Sequence, residues 1–356
     1  MIAGAASHSE NRLMAETPLR IAVVGCGAVA EHLHLPALAQ RKDCTLVAVV
    51  DQNQERAQRL TRSFGEPTVL TDFRNLLALN IDLAIVALPN HLHAPVSTEL
   101  LRAGFHVLVE KPMALSVAQC DEMLVAAEEG HALLAVGMMR RFIHASRFVK
   151  SVIDSNLIGR IHSIDMRDGY VYEWPITTDF PFRREAAGGG VLMDSGVHDL
   201  DQLLWWMGEI QSYEYFDDNE GGVESECLLR ATLQSGAKVT VELSRNRKLR
   251  NTARLRGERG EIEVSLLGNS VWVYLEGAPM QIIGQGSPVS TRTASPQSQV
   301  DIIRAEHDDL FDAIRTRRAP EVPGSEARRS LALIEACYNQ RRPLRLPWSE
   351  AAPSIV

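Results

Sequence analysis

Three short runs of this chain hold residues able to do chemistry: Gly25-Cys26-Gly27-Ala28-Val29-Ala30, Glu110-Lys111-Pro112 and Asp194-Ser195-Gly196-Val197-His198. The Gly-x-Gly-x-x-Ala spacing of the first suits a turn that cradles a pyrophosphate. Gly25 permits a tight turn, Gly27 lets the backbone approach the phosphates, Ala28 and Val29 complete the loop, and Ala30 is small enough for close helix–strand packing. The helix that follows would present free N–H groups and the positive end of its dipole. In the second run Lys111 supplies a cation. In the third, His198 brings an imidazole, a group whose ordinary pKa lies near neutrality, and Asp194, four residues earlier, shares its face if the segment is helical. Taken singly, the second and third patterns are weak: a lysine between Glu and Pro is usually a solvated charge, and Asp-x-x-x-His is more often a surface pair.

The elements needed to position these runs can be read nearby. The glycine turn follows the apolar stretch Leu19 to Val24, and a second strand, Thr45 to Val50, ends at Asp51, about 20 residues beyond the turn, where a carboxylate would accept from ribose hydroxyls. Asp51 would repel a 2′-phosphate, and Gln52 and Asn53 supply no cation to hold one, so NAD is expected over NADP. Strand-like runs at 21–24, 46–50, 83–87, 106–109 and 132–137 alternate with helices at 54–64 and 94–103 that close on Gly65 and Gly104. This is the signature of βαβ units and a doubly wound parallel sheet. Pro89 and Pro112 mark the carboxyl ends of two strands, where such sheets bind ligands, and so place Pro89, Asn90, His93, Glu110 and Lys111 beside a cofactor.

Beyond Arg140 the pattern changes to a helix, 144–156, and a series of β-rich runs, 161–172, 223–234, 238–245, 252–256, 261–266 and 270–275. Ser235-Gly236-Ala237 reads as a hairpin turn. The fold class expected is α/β: an N-terminal Rossmann domain, residues 19–138, and a C-terminal α+β domain, residues 139–342, with a large, mainly antiparallel sheet. Residues 1–18 read as a disordered leader, 277–299 as a polar loop, 325–339 as a closing helix and 343–356 as a tail.

Composition excludes several classes. An apolar fraction of 45% supports a buried core, and a net charge of −8 argues against a nucleic-acid partner. No apolar run approaches the roughly 20 residues of a membrane span, and the N-terminus lacks a signal-peptide pattern, so no membrane partner and a cytoplasmic home are expected. The five scattered cysteines form neither a disulfide framework nor a zinc site. His32 with His34, and His91 with His93, have an x-His-x-His spacing but no completing ligands, so no metal is expected. His34 and His93 are expected instead to hydrogen-bond backbone near the cofactor crevice.

Glu110-Lys111-Pro112 and the run from Gly188-Gly189-Gly190 through Asp194 and His198 to Asp201 occur in order after the glycine turn. Together they make the chain resemble the Gfo/Idh/MocA family of nicotinamide-dependent oxidoreductases, over nearly everything from Leu19 to about Arg342. The resemblance implies NAD as cofactor and Lys111, Asp194 and His198 as the catalytic set. Transferring hydride at a carbon that bears oxygen requires a proton to leave or reach that oxygen, which suits His198 as acid/base, oriented by Asp194, with Lys111 polarising the oxygen. The reverse division between Lys111 and His198 is equally consistent with the family.

Arg140, Arg141, Tyr170, Tyr172, Trp174 and Arg183 come from regions that flank the family's substrate pocket, where aromatic rings would stack on a sugar and arginines hold anionic groups. Their other reading is a strand face and a basic surface. The triple glycine is either a flexible lead into the helix or the means by which that helix starts close to the nicotinamide. Asp201 is either a support for His198 or a solvated carboxylate. The activity implied is a sugar or inositol dehydrogenase, the substrate a carbohydrate or polyol. Transient-oxidation glycoside hydrolysis and dinucleotide sensing are the alternatives, and Lys111, Asp194 and His198 count against the sensor. A homodimer or homotetramer is expected if the large sheet has an apolar outer face.

Overall fold

The computed structural model describes residues 17–39, 41–62, 64–173, 175, 178–277, 281–283 and 297–345. They divide into two compact units, one drawn from residues 1–139, 175–177 and 298–328 and the other from 140–174, 178–297 and 329–356. The leader up to residue 16, Trp174, most of the polar loop and the tail from residue 346 lie outside the described residues.

The first unit is built on six strands, β1 (Leu19–Val24), β2 (Cys44–Val50), β3 (Thr68–Leu70), β4 (Leu83–Val86), β5 (His106–Val109) and β6 (Leu134–Val136). All neighbours run parallel in the order β3-β2-β1-β4-β5-β6. β4 is apolar and buried at every position, as expected of a strand covered on both faces. The chain reverses its direction of travel across the sheet between β1 and β4, so the ends of these two strands frame the ligand crevice of a doubly wound sheet.

The segment after the glycine turn begins with a π turn, Ala30–His34, in which Leu35 N–H bonds to Ala30 O, and continues as the helix Leu35–Leu38. Pro36 has no N–H to give to a carbonyl one turn back, and widening of the preceding turn accommodates it. A helix that sequence reading missed, Gln299–Thr316, belongs to this first unit rather than to the second domain. Leu310 and Phe311 join the core formed by Ile21, Val23, Leu83 and Ile85, and Ile303 packs on Leu33 and Ala37.

The second unit carries β7 (Ile161–Gly169), β8 (Ile210–Asp217), β9 (Glu226–Leu233), β10 (Lys238–Ser244), β11 (Thr252–Gly257), β12 (Gly260–Ser265), β13 (Val271–Leu275), β14 (Gln281–Ile283) and β15 (Arg342–Pro343). They form one sheet in the order β14-β13-β12-β11-β7-β10-β9-β8-β15, antiparallel except for the pairs β7/β10 and β8/β15. The β9–β10 hairpin turns at Gly236, whose φ of 87° suits glycine. β14 falls in the stretch expected to be loop.

Alternation puts Ile164, Met166, Val239, Val241, Leu255 and Ile262 on the buried face, where the helix His144–Asp154 packs against β12. The opposite face of β10, β7, β11 and β12 is laced with charge: Arg167 meets Asp165, Arg256 meets Glu261, and Arg254 meets both Glu261 and Glu263. The condition set for a partner copy, an apolar outer face, is not met there. No helix among the described residues is long and apolar enough to cross a membrane.

Candidate active site

In the first unit, one group of candidate residues closes around Asp51. Its Oδ2 accepts from Cys26 N–H at 2.8 Å, and its Oδ1 accepts from Asn53 N–H at 2.7 Å and from an Arg56 guanidinium N–H at 2.8 Å. Gly25 donates its N–H to Val50 O and has φ 99°; a Cβ there would lie 2.2 Å from Ala87 O, so only glycine lets the ends of β1 and β4 approach. Around Gly27 the space is open to 4 Å. The first helical hydrogen bond runs from Glu31 N–H to Gly27 O, which leaves the N–H groups of Ala28, Val29 and Ala30 ahead of it. An open cradle, leading N–H groups and a carboxylate at the strand end fit a dinucleotide. Arg56 corrects the expectation that no cation stands near the ribose position. Burial and then the Asp51 charge push the Cys26 thiol up to about 12, so it is inert.

At the end of β5, Glu110 accepts from Lys111 N–H through Oε2 at 3.2 Å, while its Oε1 lies 2.9 Å from His34 Nε2. Burial would raise the Glu110 pKa, but the His34 hydrogen bond, with Lys111 and His93 nearby, outweighs it and leaves the group below its usual range. Gly137 makes room, since a Cβ there would sit 3.2 Å from the Glu110 carboxylate. His93 lies 2.7 Å from both Leu88 O and Pro112 O, tying the end of the β4 segment to the Lys111 turn. Burial lowers its pKa against those two carbonyls, and a neutral ring donates to one of them at a time. His34 departs from expectation: its partners are the side chains of Glu110 and His307, not backbone.

The second unit carries its own group of candidate residues. Asp194 closes the short helix Val191–Asp194, and His198 lies in the first turn of Gly196–Met207. His198 N–H bonds to Ser195 O, a tightened turn at the joint between the two pieces. Tyr170, just past β7, donates its hydroxyl to Asp194 Oδ2 at 3.1 Å, and burial followed by that carboxylate raises the phenol pKa strongly. Tyr172 lies 6.3 Å from Tyr170, ring to ring, and packs edge-on against Phe182. Tyr170 and Asp194 are thus brought together.

The triple glycine serves a purpose that neither sequence reading named. Glu224 accepts from the N–H groups of Gly190 and Leu192 at 2.9 and 3.0 Å and from the Tyr338 hydroxyl at 2.7 Å, capping the helix that carries Asp194. A Cβ on Gly190 would fall 1.8 Å from Glu224 O, and one on Gly189 would fall 2.0 Å from the Tyr338 hydroxyl. Close approach demands glycine at positions 189 and 190, whereas Gly188, at φ 85°, takes the left-handed conformation that ends the helix Arg184–Ala187. Glu224 sits in a polar stretch with no local pattern to mark it.

Arg140 and Arg141 are corrected. Both are buried, and Arg140 bridges Asp199 at 2.8 Å and Asp168 at 2.6 Å while Arg141 forms a two-pronged pair with Asp201 at 2.7 and 2.8 Å. These forks are spent on carboxylates of the His198 helix and β7, and Asp201 is no solvated group. Burial outweighs Arg140 at Asp199 and, with Asp168 adding its charge, raises the Asp199 pKa well above the usual range. Arg183 is exposed, with Asp179 and Glu185 from its own segment 3.6 and 3.7 Å away.

Residues 19–138 match the family model described as "Oxidoreductase family, NAD-binding Rossmann fold", and residues 146–263 match "GFO/IDH/MocA C-terminal domain". The chain belongs to the Gfo/Idh/MocA family. Among its relatives, the D-glucoside 3-dehydrogenase of Escherichia coli (strain K12) is 31% identical over 220 residues, 60% of this chain and 62% of the relative. The match therefore spans less than two thirds of that relative's own length. The solved aldose-aldose oxidoreductase of Caulobacter crescentus, complexed with glycerol, aligns with a TM-score of 0.81 at 25% identity over 91% of this chain and 97% of its own. A levoglucosan dehydrogenase solved with NADH and levoglucosan shares the fold, with a TM-score of 0.82 at 21% identity over 91% of this chain and 98% of its own.

Two outcomes follow from these contacts. Gly25→Ala should destabilise the first unit by about 1–3 kcal/mol, whereas Gly27→Ala should melt within about 0.5 kcal/mol of wild type yet bind dinucleotide at least tenfold more weakly; thermal melts and calorimetric titration measure both. Arg140→Ala, which leaves Asp168 and Asp199 buried without their cation, should cost about 3–5 kcal/mol in denaturant unfolding.

Proposed function

We propose that the protein is an NAD-dependent oxidoreductase that interconverts a secondary alcohol and a ketone on a sugar, sugar derivative or polyol. The observation that carries this reading is the Tyr170–Asp194 pair at the start of the His198 helix, in a chain whose other unit carries the dinucleotide cradle. The names of the relatives support it, since a D-glucoside, an aldose and levoglucosan are all carbohydrates.

When bound, NAD supplies or accepts the hydride. Asp51 receives the ribose hydroxyls, and the open backbone at Gly27 with the leading N–H groups receives the pyrophosphate. Lys111 stabilises negative charge that develops on the substrate oxygen. His198 takes that oxygen's proton in oxidation and returns it in reduction, with Asp194 orienting or relaying. Tyr170 and Tyr172 offer ring faces and hydroxyls, the mixture a pyranose or cyclitol requires. Lys111→Ala should lower turnover at least about 100-fold while leaving cofactor affinity within about threefold. A panel of glucosides, free sugars, inositols and uronic acids, followed by nicotinamide absorbance, checks it; turnover on small acyclic alcohols alone would overturn the carbohydrate assignment.

The Asp51–Arg56 pair bears on cofactor choice. With Asp51 in place, a 2′-phosphate meets its charge and the guanidinium is engaged, so NADH binds more tightly than NADPH. Asp51→Ser frees Arg56 to meet the phosphate and should improve NADPH affinity relative to NADH about tenfold, roughly one charge-assisted pair. Adding Arg56→Ala should abolish the gain, as read by fluorescence titration.

A further inference from the structure

The proposed chemistry leaves one buried polar cluster of the first unit unused. It lies where the returning helix Gln299–Thr316 brings Glu306 and His307 into the interior, 3% and 0% exposed. His307 Nε2 stands 3.0 Å from His34 Nδ1, and His34 Nε2 stands 2.9 Å from Glu110 Oε1. On its far side the His307 ring lies parallel to Phe311, 5.8 Å between centroids. Among the described residues, His307 Nδ1 and both oxygens of Glu306 have no hydrogen-bond partner.

Proton counting fixes the order of this chain. Each nitrogen–nitrogen contact needs one N–H and one lone pair. If His34 carried its proton on Nδ1, its bare Nε2 would face the Glu110 carboxylate, lone pair against lone pair, and Glu110 would have to take a proton. With the proton on Nε2, His34 donates to Glu110 and accepts from His307 Nε2–H, so both contacts are satisfied by two neutral rings and the bare nitrogen is His307 Nδ1. That nitrogen is the one found without a partner; a doubly protonated His34 would also satisfy both contacts, but it would put a proton on His307 Nδ1 and leave a buried donor with no acceptor. The surroundings favour neutrality: burial, with the Arg41 and Arg304 charges beside it, presses the His307 pKa well down. At Glu306, burial and then the charges of Glu110 and Asp309 press the pKa well up, which makes it a neutral acid and leaves Glu110 as the cluster's anion.

We propose that His307 and His34 are a positioning pair, two neutral imidazoles hydrogen-bonded in line, that hold Glu110 as an ionised acceptor beneath the backbone N–H of Lys111. The π turn at Ala30–His34 delivers one ring and the returning helix the other. Their effect on chemistry passes through Glu110 to Lys111, and to that extent the proposal rests on the oxidoreductase reading. Removing the His307 donor releases His34 to the other tautomer, burial then governs Glu110, and protonation of Glu110 removes the charge beside Lys111.

The test has two arms, both on the full-length chain. In nitrogen NMR of ¹⁵N-histidine-labelled wild type, His34 and His307, assigned by difference from the variants, should both show protonated Nε2 and bare Nδ1 at about pH 7, and His307 should keep that state between about pH 6 and 8. A protonated Nδ1 on either ring, or titration of His307 in that window, would overturn the proposal whether or not a substrate is known. In the second arm, His307→Phe, which keeps the stacking on Phe311 but loses the donor, should move the acid limb of kcat/KM up by about one pH unit, a roughly tenfold loss on that limb. His307→Gln, whose amide N–H can still donate to His34, should restore the wild-type profile. An unshifted His307→Phe, or a His307→Gln shifted equally, would overturn the positioning role, whereas absence of turnover in wild type on every sugar would count against the oxidoreductase reading and leave the NMR result to decide the histidine pair.

Discussion

A carboxylate taken out of water loses several kcal/mol of solvation unless donors replace the water. Asp51, Glu110 and Glu224 meet that requirement with groups brought from distant parts of the chain. Asp51 collects the N–H of Cys26 and so shapes the glycine turn; Glu110 collects Lys111 N–H and His34 and so fixes the lysine turn; Glu224 collects the N–H groups of Gly190 and Leu192 and so starts the helix that presents Asp194. Beside two of these acids a glycine makes the room. Gly137 is small because the Glu110 carboxylate needs the space, and Gly190 because the Glu224 backbone does.

Exposure is graded across these residues: Lys111, Asp194, Tyr170 and Glu110 keep partial exposure, whereas Asp51, His198 and Glu224 are buried. Burial makes the supporting bonds strong and hard to exchange. Arg140 and Arg141 carry the same principle into the second unit, where they bind three acids, Asp168, Asp199 and Asp201, and lock the His198 helix to the sheet.

What was legible in the sequence was whatever is written locally. The glycine turn, Asp51 at the strand end, the apolar β4 and the Gly236 hairpin each declare themselves within a few residues, and the order of the motifs revealed the family. The helix Gln299–Thr316 was legible too, through the Ser298-to-Asp301 capping box and the apolar positions 302, 303, 310 and 311, but it was hidden behind the polar loop before it. Arg56 stood one helical turn beyond the residues inspected for a cation. Other features were not legible. Arg140 meets Asp199 across 59 residues and Glu224 meets Gly190 across 34, and no local spacing encodes such pairs. The two arginines therefore looked like substrate ligands, because a basic pair reads the same whether its acid is a ligand or a neighbouring helix.

Hydride transfer between a sugar carbon and nicotinamide is the proposed reaction on which these residue roles rest. The most direct measurement is to incubate the protein with NAD and a glucoside deuterated at its ring carbons, and then weigh the reduced cofactor by mass spectrometry. Deuterium accumulating in the nicotinamide, one atom per keto sugar formed, is the predicted result; reduced nicotinamide without deuterium, or glycoside cleavage with no reduced cofactor, would contradict it.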